Sequence, residues 1–201
     1  MTPDVLLALV AFAFVTSITP GPNNLMLLAS GLNFGVRRTV PHMLGIGVGF
    51  TVMVMAVGLG LSGVFRAAPV LYEVLKWTGA GYMLWLAWRI AQSGPVNADP
   101  AARGQPMSFL AAAAFQWVNP KAWVMAVSAI ATYGTPGSVG SMVLIAGVFG
   151  LVNLPSVSLW AAFGAGLRRL LSDARHVVLF NRTMAALLVL SLWPLVADAL
   201  S

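Results

Sequence analysis

Long apolar stretches alternate with short polar or charged ones along the whole chain. A membrane-spanning helix needs roughly 20 mainly apolar residues. Six runs reach that length: Val5–Leu32, Pro41–Val64, Val70–Ala91, Phe109–Tyr133, Val139–Leu167 and Val177–Leu200. Spans and connections use up nearly every residue, so the pattern predicts an all-α integral membrane protein with one membrane domain over residues 1–201. The chain starts "MTPD", with Asp4 and no basic residue, unlike the basic leading region of a cleaved secretory signal. The first span is therefore expected to be retained.

Two spans interrupt themselves. The first contains "SITPGPNNLML", in which Thr19, Pro20, Gly21 and Pro22 sit near the middle and Asn23 and Asn24 follow. Proline lacks the backbone donor and turns the residue before it away from helix, so carbonyls and amides lose their intrahelical partners. In hydrocarbon each such group costs several kcal/mol unless protein or a water-filled cavity satisfies it. The fourth span breaks in the same way at Asn119, Pro120 and Lys121. A cation at that depth costs roughly 2.5–3.5 kcal/mol on insertion scales, which predicts that Lys121 faces a cavity or a partner. The bland alternatives are a proline kink repaired by neighbouring helices, and a fourth span that starts later and lets the lysine snorkel to the surface.

Laying the second half over the first at an offset of 100 aligns Pro20 with Pro120, Gly47 with Gly147 and Val57 with Val157. Two three-helix halves, residues 1–100 and 101–201, necessarily have opposite topology. The expected architecture is therefore six transmembrane helices as two inverted repeats with broken helices 1 and 4, as in secondary transporters whose broken helices meet at a midplane substrate site.

Composition agrees with a bilayer: 59% of residues are hydrophobic and 8% charged, against about a quarter charged in soluble domains. Mean hydropathy is +0.88. The distribution of charge adds orientation. Arg37, Arg38, Arg89, Arg103, Arg168, Arg169, Arg175 and Arg182 fall in odd-numbered connections, whereas the even ones hold Arg66 and Lys76. By the positive-inside rule the odd connections are cytoplasmic and both termini lie outside. The net charge of +6 is then a topology signal, and no groove interleaving basic and stacking aromatic residues points to nucleic acid.

The segments "TPGPNNLMLLASGLNFGVRRTVPHMLGIGVGF", "KWTGAGYMLWLAWRI", "FQWVNPKAW", "LRRLL" and "FNRTMAALLVLSLWPL" resemble the LysE/RhtB family of amino-acid exporters over nearly the full chain. The resemblance implies six helices in a bacterial cytoplasmic (inner) membrane and export of amino acids or close derivatives, driven by the proton gradient. Many members carry aspartate after the second proline of the first box. This chain has Asn23 there, so no proton or cation role follows for that position.

A zwitterionic amino acid presents a carboxylate and an ammonium group. The carboxylate suits Lys121 and the amides at a half-helix N-terminus, where the dipole is positive. The ammonium suits unwound carbonyls around Thr19 to Gly21 and the side-chain oxygens of Asn23, Asn24 and Asn119. Thr19, Pro20, Gly21, Pro22, Asn23, Asn24, Asn119, Pro120 and Lys121 are thus the candidate substrate site. Asp4, Glu73, Asp99, Asp173 and Asp198 fall near expected span ends, so neither an intramembrane partner for Lys121 nor a carboxylate proton carrier is visible.

Secondary candidates are weaker. Gly45 and Gly49 have the spacing of a close helix contact; Asn153 and Pro155 mark a kink that either lines the cavity or serves packing. His42 and His176 read as solvated interface residues. The tryptophans read as interfacial anchors or packing, with Trp117 and Trp123 placed to wall the site. An enzyme would need a nucleophile with its base, paired acids or a metal cluster. Two distant histidines and no cysteine offer none of these, nor a cofactor site. The expected partners are an amino-acid-like small molecule and the bilayer, with self-association left open. A channel or a non-transporting membrane subunit remains the rival reading.

Overall fold

The computed structural model describes residues 1–61, 67–93, 105–171 and 173–193, and among these every regular element is helical. Helix α1 covers Pro3–Ile18 and α2 covers Pro22–Phe34. The prolines set both boundaries: Thr19, which precedes Pro20, is extended, and Pro22 occupies the first turn of α2, where a missing N–H costs nothing. The two helices meet at 55°. Helix α3, Val36–Ala56, continues through a wider turn at Val57–Leu61 that ends around Gly60, whose φ of 106° is left-handed. Helix α4 is Pro69–Ala91.

The fourth expected span is likewise two pieces. Helix α5, Phe109–Phe115, passes through a tighter turn at Gln116–Val118 and stops at Asn119, which is extended before Pro120. Helix α6 then runs Pro120–Tyr133. Helix α7, Val139–Leu170, is 32 residues long and carries Pro155 internally; α8 is Ala174–Leu190, capped by Asp173.

Two helical stretches are long and apolar enough to cross a membrane alone, Val36–Leu61 and Val139–Arg168, and the bent pair α1 and α2 together passes as a third. The start of α3 differs from expectation. Pro41 lies inside the helix rather than at its beginning, because the chain turns tightly at Gly35, with φ of 76°, and helix begins at Val36. The expected end of the last span falls outside the described residues.

Helix α2 forms the centre, with Asn24 through Asn33 all buried. It packs chiefly on α7, which also contacts α1 and α3; α3 leans on α5, and α4 pairs with α8. Small residues permit these crossings. Gly31 of α2 backs onto the main chain of α7 at Ala161, and Gly164 of α7 onto α2 at Leu28. Gly45 and Gly49 do the same against α5 at Phe109 and Ala113, so the sequence spacing marks a real close contact. Large apolar side chains such as Leu7, Phe14, Leu110, Leu151 and Phe163 are exposed along the outer helix faces. That surface is what hydrocarbon solvates and water does not.

Candidate functional site

The prolines of the first break dictate which carbonyls need new partners. In an unbroken helix the amides of residues 20 and 22 would bond the carbonyls of Thr16 and Ile18, but proline has no N–H. Side chains replace both. The Thr19 hydroxyl donates to Thr16 O at 3.1 Å, and Trp160 Nε1 on α7 donates to Ile18 O at 3.0 Å. Asn24 Nδ2 donates to Ser17 O at 2.9 Å and to Thr19 O at 2.7 Å, tying the start of α2 back onto the end of α1.

The second break then reaches the first. Lys121, in the first turn of α6, extends its ammonium group to Thr19 O at 2.7 Å, Thr19 Oγ1 at 2.9 Å and Pro20 O at 3.2 Å. All three of its N–H donors are thereby used. Asn119 holds the turn from which the lysine projects, its Oδ1 accepting from Lys121 N at 3.1 Å. Next to this, Asn23 and Gln116 form a reciprocal amide pair: Asn23 Nδ2 donates to Gln116 Oε1 at 2.8 Å and Gln116 Nε2 donates back to Asn23 Oδ1 at 3.2 Å. Gln116 also donates to Ala112 O at 2.9 Å and is fully buried.

At this junction lies a cavity of about 20 Å³, whose polar lining comes from Thr16, Ser17, Asn23, Asn24, Asn119, Lys121 and Asn153. About 10–15 Å³ accommodates one water molecule, so this conformation has room for a water and none for an amino acid. Asn153 Nδ2 donates to Ser17 Oγ at 3.1 Å, while its buried Oδ1 has no hydrogen-bond partner. It is an acceptor left over in the cavity wall.

The structure therefore brings Thr19, Gly21, Asn23, Asn24, Asn119 and Lys121 to one junction, with Pro20 contributing a carbonyl and Pro22 and Pro120 starting the two half-helices. The carbonyls assigned by sequence to a substrate ammonium are occupied by Lys121 instead. Among the described residues the ion pairs are Lys76–Glu73 and His176–Asp173, and neither involves Lys121. No group of three or more metal-ligating side chains occurs among them either. Trp117 and Trp123 do not line the cavity. They pack edge-on at 6.3 Å, and Trp123 Nε1 donates to Trp117 O. Phe50 supplies an aromatic wall instead. Gln116, Ser17 and Trp160 were not singled out by sequence. A glutamine inside "AAFQWV" was the available signal for the first; nothing distinguished Trp160 from the other tryptophans.

The chain is matched at family level over most of its length. The LysE type translocator family profile matches residues 14–192. The chain belongs to this family. A LysE type translocator is a multi-pass membrane protein, in keeping with the apolar helices. The chain is 33% identical over 196 residues to the cysteine/O-acetylserine efflux protein of Klebsiella pneumoniae subsp. pneumoniae, covering 94% of this chain and 95% of that one. It is 35% identical over 198 residues to the proteins of the same name from Escherichia coli (strain HS) and Shigella sonnei, covering 94% of this chain and 96% of each. No solved structure matches the chain.

Proposed function

We propose that this LysE type translocator is a secondary active exporter of amino acids or close derivatives across the bacterial cytoplasmic membrane. Cysteine and O-acetylserine, named for its relatives, are the first substrates to test. Six spans form two inverted three-helix repeats, residues 1–100 and 101–201, with both termini periplasmic and export driven by the proton gradient. The observation that carries the reading is the ammonium group of Lys121 on the carbonyls of Thr19 and Pro20, which joins the two helix breaks.

That contact supplies a binding mechanism by exchange. A zwitterion arriving at the junction offers a carboxylate to Lys121, whose donors leave the carbonyls. Those carbonyls then accept the substrate ammonium, helped by the free Oδ1 of Asn153. Hydrogen bonds are traded rather than lost, so the low dielectric of the site favours the exchange. The cavity must widen for this, and a cavity of about 20 Å³ supports a carrier that opens and closes over a fixed-diameter pore. Alternating access consists of the half-helices α1 with α2, and α5 with α6, moving about that junction.

The test is counterflow of labelled amino acids in proteoliposomes of the purified protein. Saturable, gradient-dependent exchange of cysteine or O-acetylserine is expected. Linear, non-saturating flux would make the protein a channel, and no flux of any amino acid would make it a non-transporting subunit.

A further inference from the structure

The wall of the cavity at the junction is not polar all round. Asn23 and Asn24 at the start of α2, and Asn119 and Lys121 at the start of α6, place most of its polar groups on the broken helices. Its apolar part comes from Phe50 on α3, Val157 on α7, and Ala122 and Met125 on α6. Among the described residues that line it, Lys121 is the only charged one. An amino acid whose carboxylate and ammonium groups are held by the polar part has only the apolar part left for its side chain. A charged side chain would find no counter-charge there beyond the lysine that its own carboxylate has taken.

Phe50 is the largest of these apolar residues, and it is clamped from behind. Its ring meets Phe149 of α7 edge-on, with centroids 5.3 Å apart at 88°, and Phe149 meets Phe12 of α1 in the same way at 6.2 Å and 90°. Phe12 in turn lies 5.8 Å from Tyr133 of α6. Edge-to-face pairs of this kind are attractive and orient both rings. Phe149 is fully buried in close packing, so little behind Phe50 can yield. The helices that carry this pair approach closely around it: a β-carbon on Gly150 would fall 2.8 Å from Thr51 Oγ1, and one on Gly47 3.3 Å from the Leu154 side chain. Among the described residues, α3 and α7 also belong to the two stretches long and apolar enough to cross a membrane unbroken.

We propose that Phe50 sets the shape limit on the substrate side chain: the site takes zwitterionic amino acids with slender, uncharged side chains and rejects aromatic ones, because Phe50 already occupies the place that their ring would need. Selection of this kind rests on the reading of the Lys121 junction as the substrate site. When the half-helices part to admit a substrate, the polar groups go with them, whereas Phe50 and Phe149 stay on the continuous helices. The side chain is therefore measured against the fixed part of the wall. Phe50 acts by direct contact; Phe149 is a positioning residue that holds the Phe50 ring in place.

Phe50→Ala removes the ring and leaves a hole of its shape, backed by Phe149, which the phenyl group of a substrate should fill. Purified wild type and variants are titrated with O-acetylserine and with phenylalanine, and binding is read from the rise in melting temperature that a molecule bound to the folded state produces. The same preparations in proteoliposomes report counterflow. Wild type should favour O-acetylserine at least tenfold, and Phe50→Ala should move the ratio of the two affinities toward phenylalanine at least tenfold and gain phenylalanine counterflow. Phe50→Leu, the milder variant if alanine folds poorly, and Phe149→Leu, which leaves the cavity lining intact, should move the ratio the same way by less. Phe163→Ala, which removes an exposed ring elsewhere, should leave it unchanged. The ratio decides the matter, because loosened packing alone weakens both molecules together. An unchanged ratio in folded Phe50 variants that still bind O-acetylserine, or a wild type that binds phenylalanine equally well, would overturn the role of Phe50 and leave the exporter reading standing. A shifted ratio without counterflow of any amino acid would support the selecting wall and sink the exporter reading instead. A wild type that neither binds nor exchanges any amino acid would sink both.

Discussion

Lys121 occupies the space that a β-carbon on Gly21 would need: its Cδ lies 2.6 Å and its Nζ 3.1 Å from that position. Gly21 itself is extended, with φ of −178°, a conformation open to any residue. The glycine is therefore required for space and not for backbone freedom. Its absent side chain lets the lysine lie flat across the break and reach the carbonyls of Thr19 and Pro20.

Gly21→Ala should accordingly displace the Lys121 chain at a mid-chain carbon and uncover those carbonyls. Export measured at matched membrane abundance should fall at least tenfold. Gly140→Ala, where an added β-carbon meets nothing closer than 4.0 Å, should leave export unchanged.

Asn23 and Gln116 should behave as one unit. Replacing either alone with leucine leaves the other amide half-satisfied in a buried place, a loss of about 1–3 kcal/mol. The double replacement should cost less than the sum of the two, with a coupling of roughly 0.5–3 kcal/mol in thermal or denaturant unfolding in detergent. Additive losses would mean that the amide pair is not an energetic partnership.

Trp160→Phe keeps an aromatic ring but removes the N–H that serves Ile18 O. Because proline 22 cannot supply that bond, the carbonyl stays unpaired, and the melting temperature should drop by about 2–4 °C for each kcal/mol lost. Trp193→Phe, at an exposed position, should cause no measurable shift. Equal melting temperatures for Trp160→Phe and the parent would show the bond to be dispensable.

On the proposed topology, in which the arginine-rich odd connections are cytoplasmic, a reporter active only in the cytoplasm and fused after Ser201 should stay silent. Strong activity would reverse the proposed orientation.

The all-helical character and both breaks were legible in the sequence because apolar run length and the two proline boxes act locally. Pro20, Pro22 and Pro120 stand at helix boundaries in the structure, whereas Pro41 and Pro155 lie inside α3 and α7. Pro41 was misread as a start because the tight turn at Gly35, six residues earlier, carries the same local weight and no apolar contrast marks it. The junction was readable as a set of residues but not as a set of bonds. Which donor meets which carbonyl depends on how α6 and α7 approach α1, and that is fixed by packing at positions far apart in sequence. Trp160 and Gln116 entered the site, and Trp117 and Trp123 left it, for that reason. His42 was placed in solvent because it stands near a span end; packing of α3 on α5 through Gly45 and Gly49 buries it.

The central claim is that the Lys121 ammonium group exchanges its carbonyl partners for the substrate carboxylate. It is tested most directly by counterflow of O-acetylserine and of its methyl ester in proteoliposomes holding wild type, Lys121→Met or Lys121→Arg at equal amounts. Removing the charge forfeits a charge-assisted contact of roughly 1.5–3 kcal/mol, about tenfold or more in affinity. Arginine, a broader planar donor, should retain only part of the activity. The account predicts that the acid is strongly impaired in the Met variant, while the ester, already a poor substrate, loses little more. Equal relative losses for acid and ester, or free exchange of lysine for arginine, would contradict it.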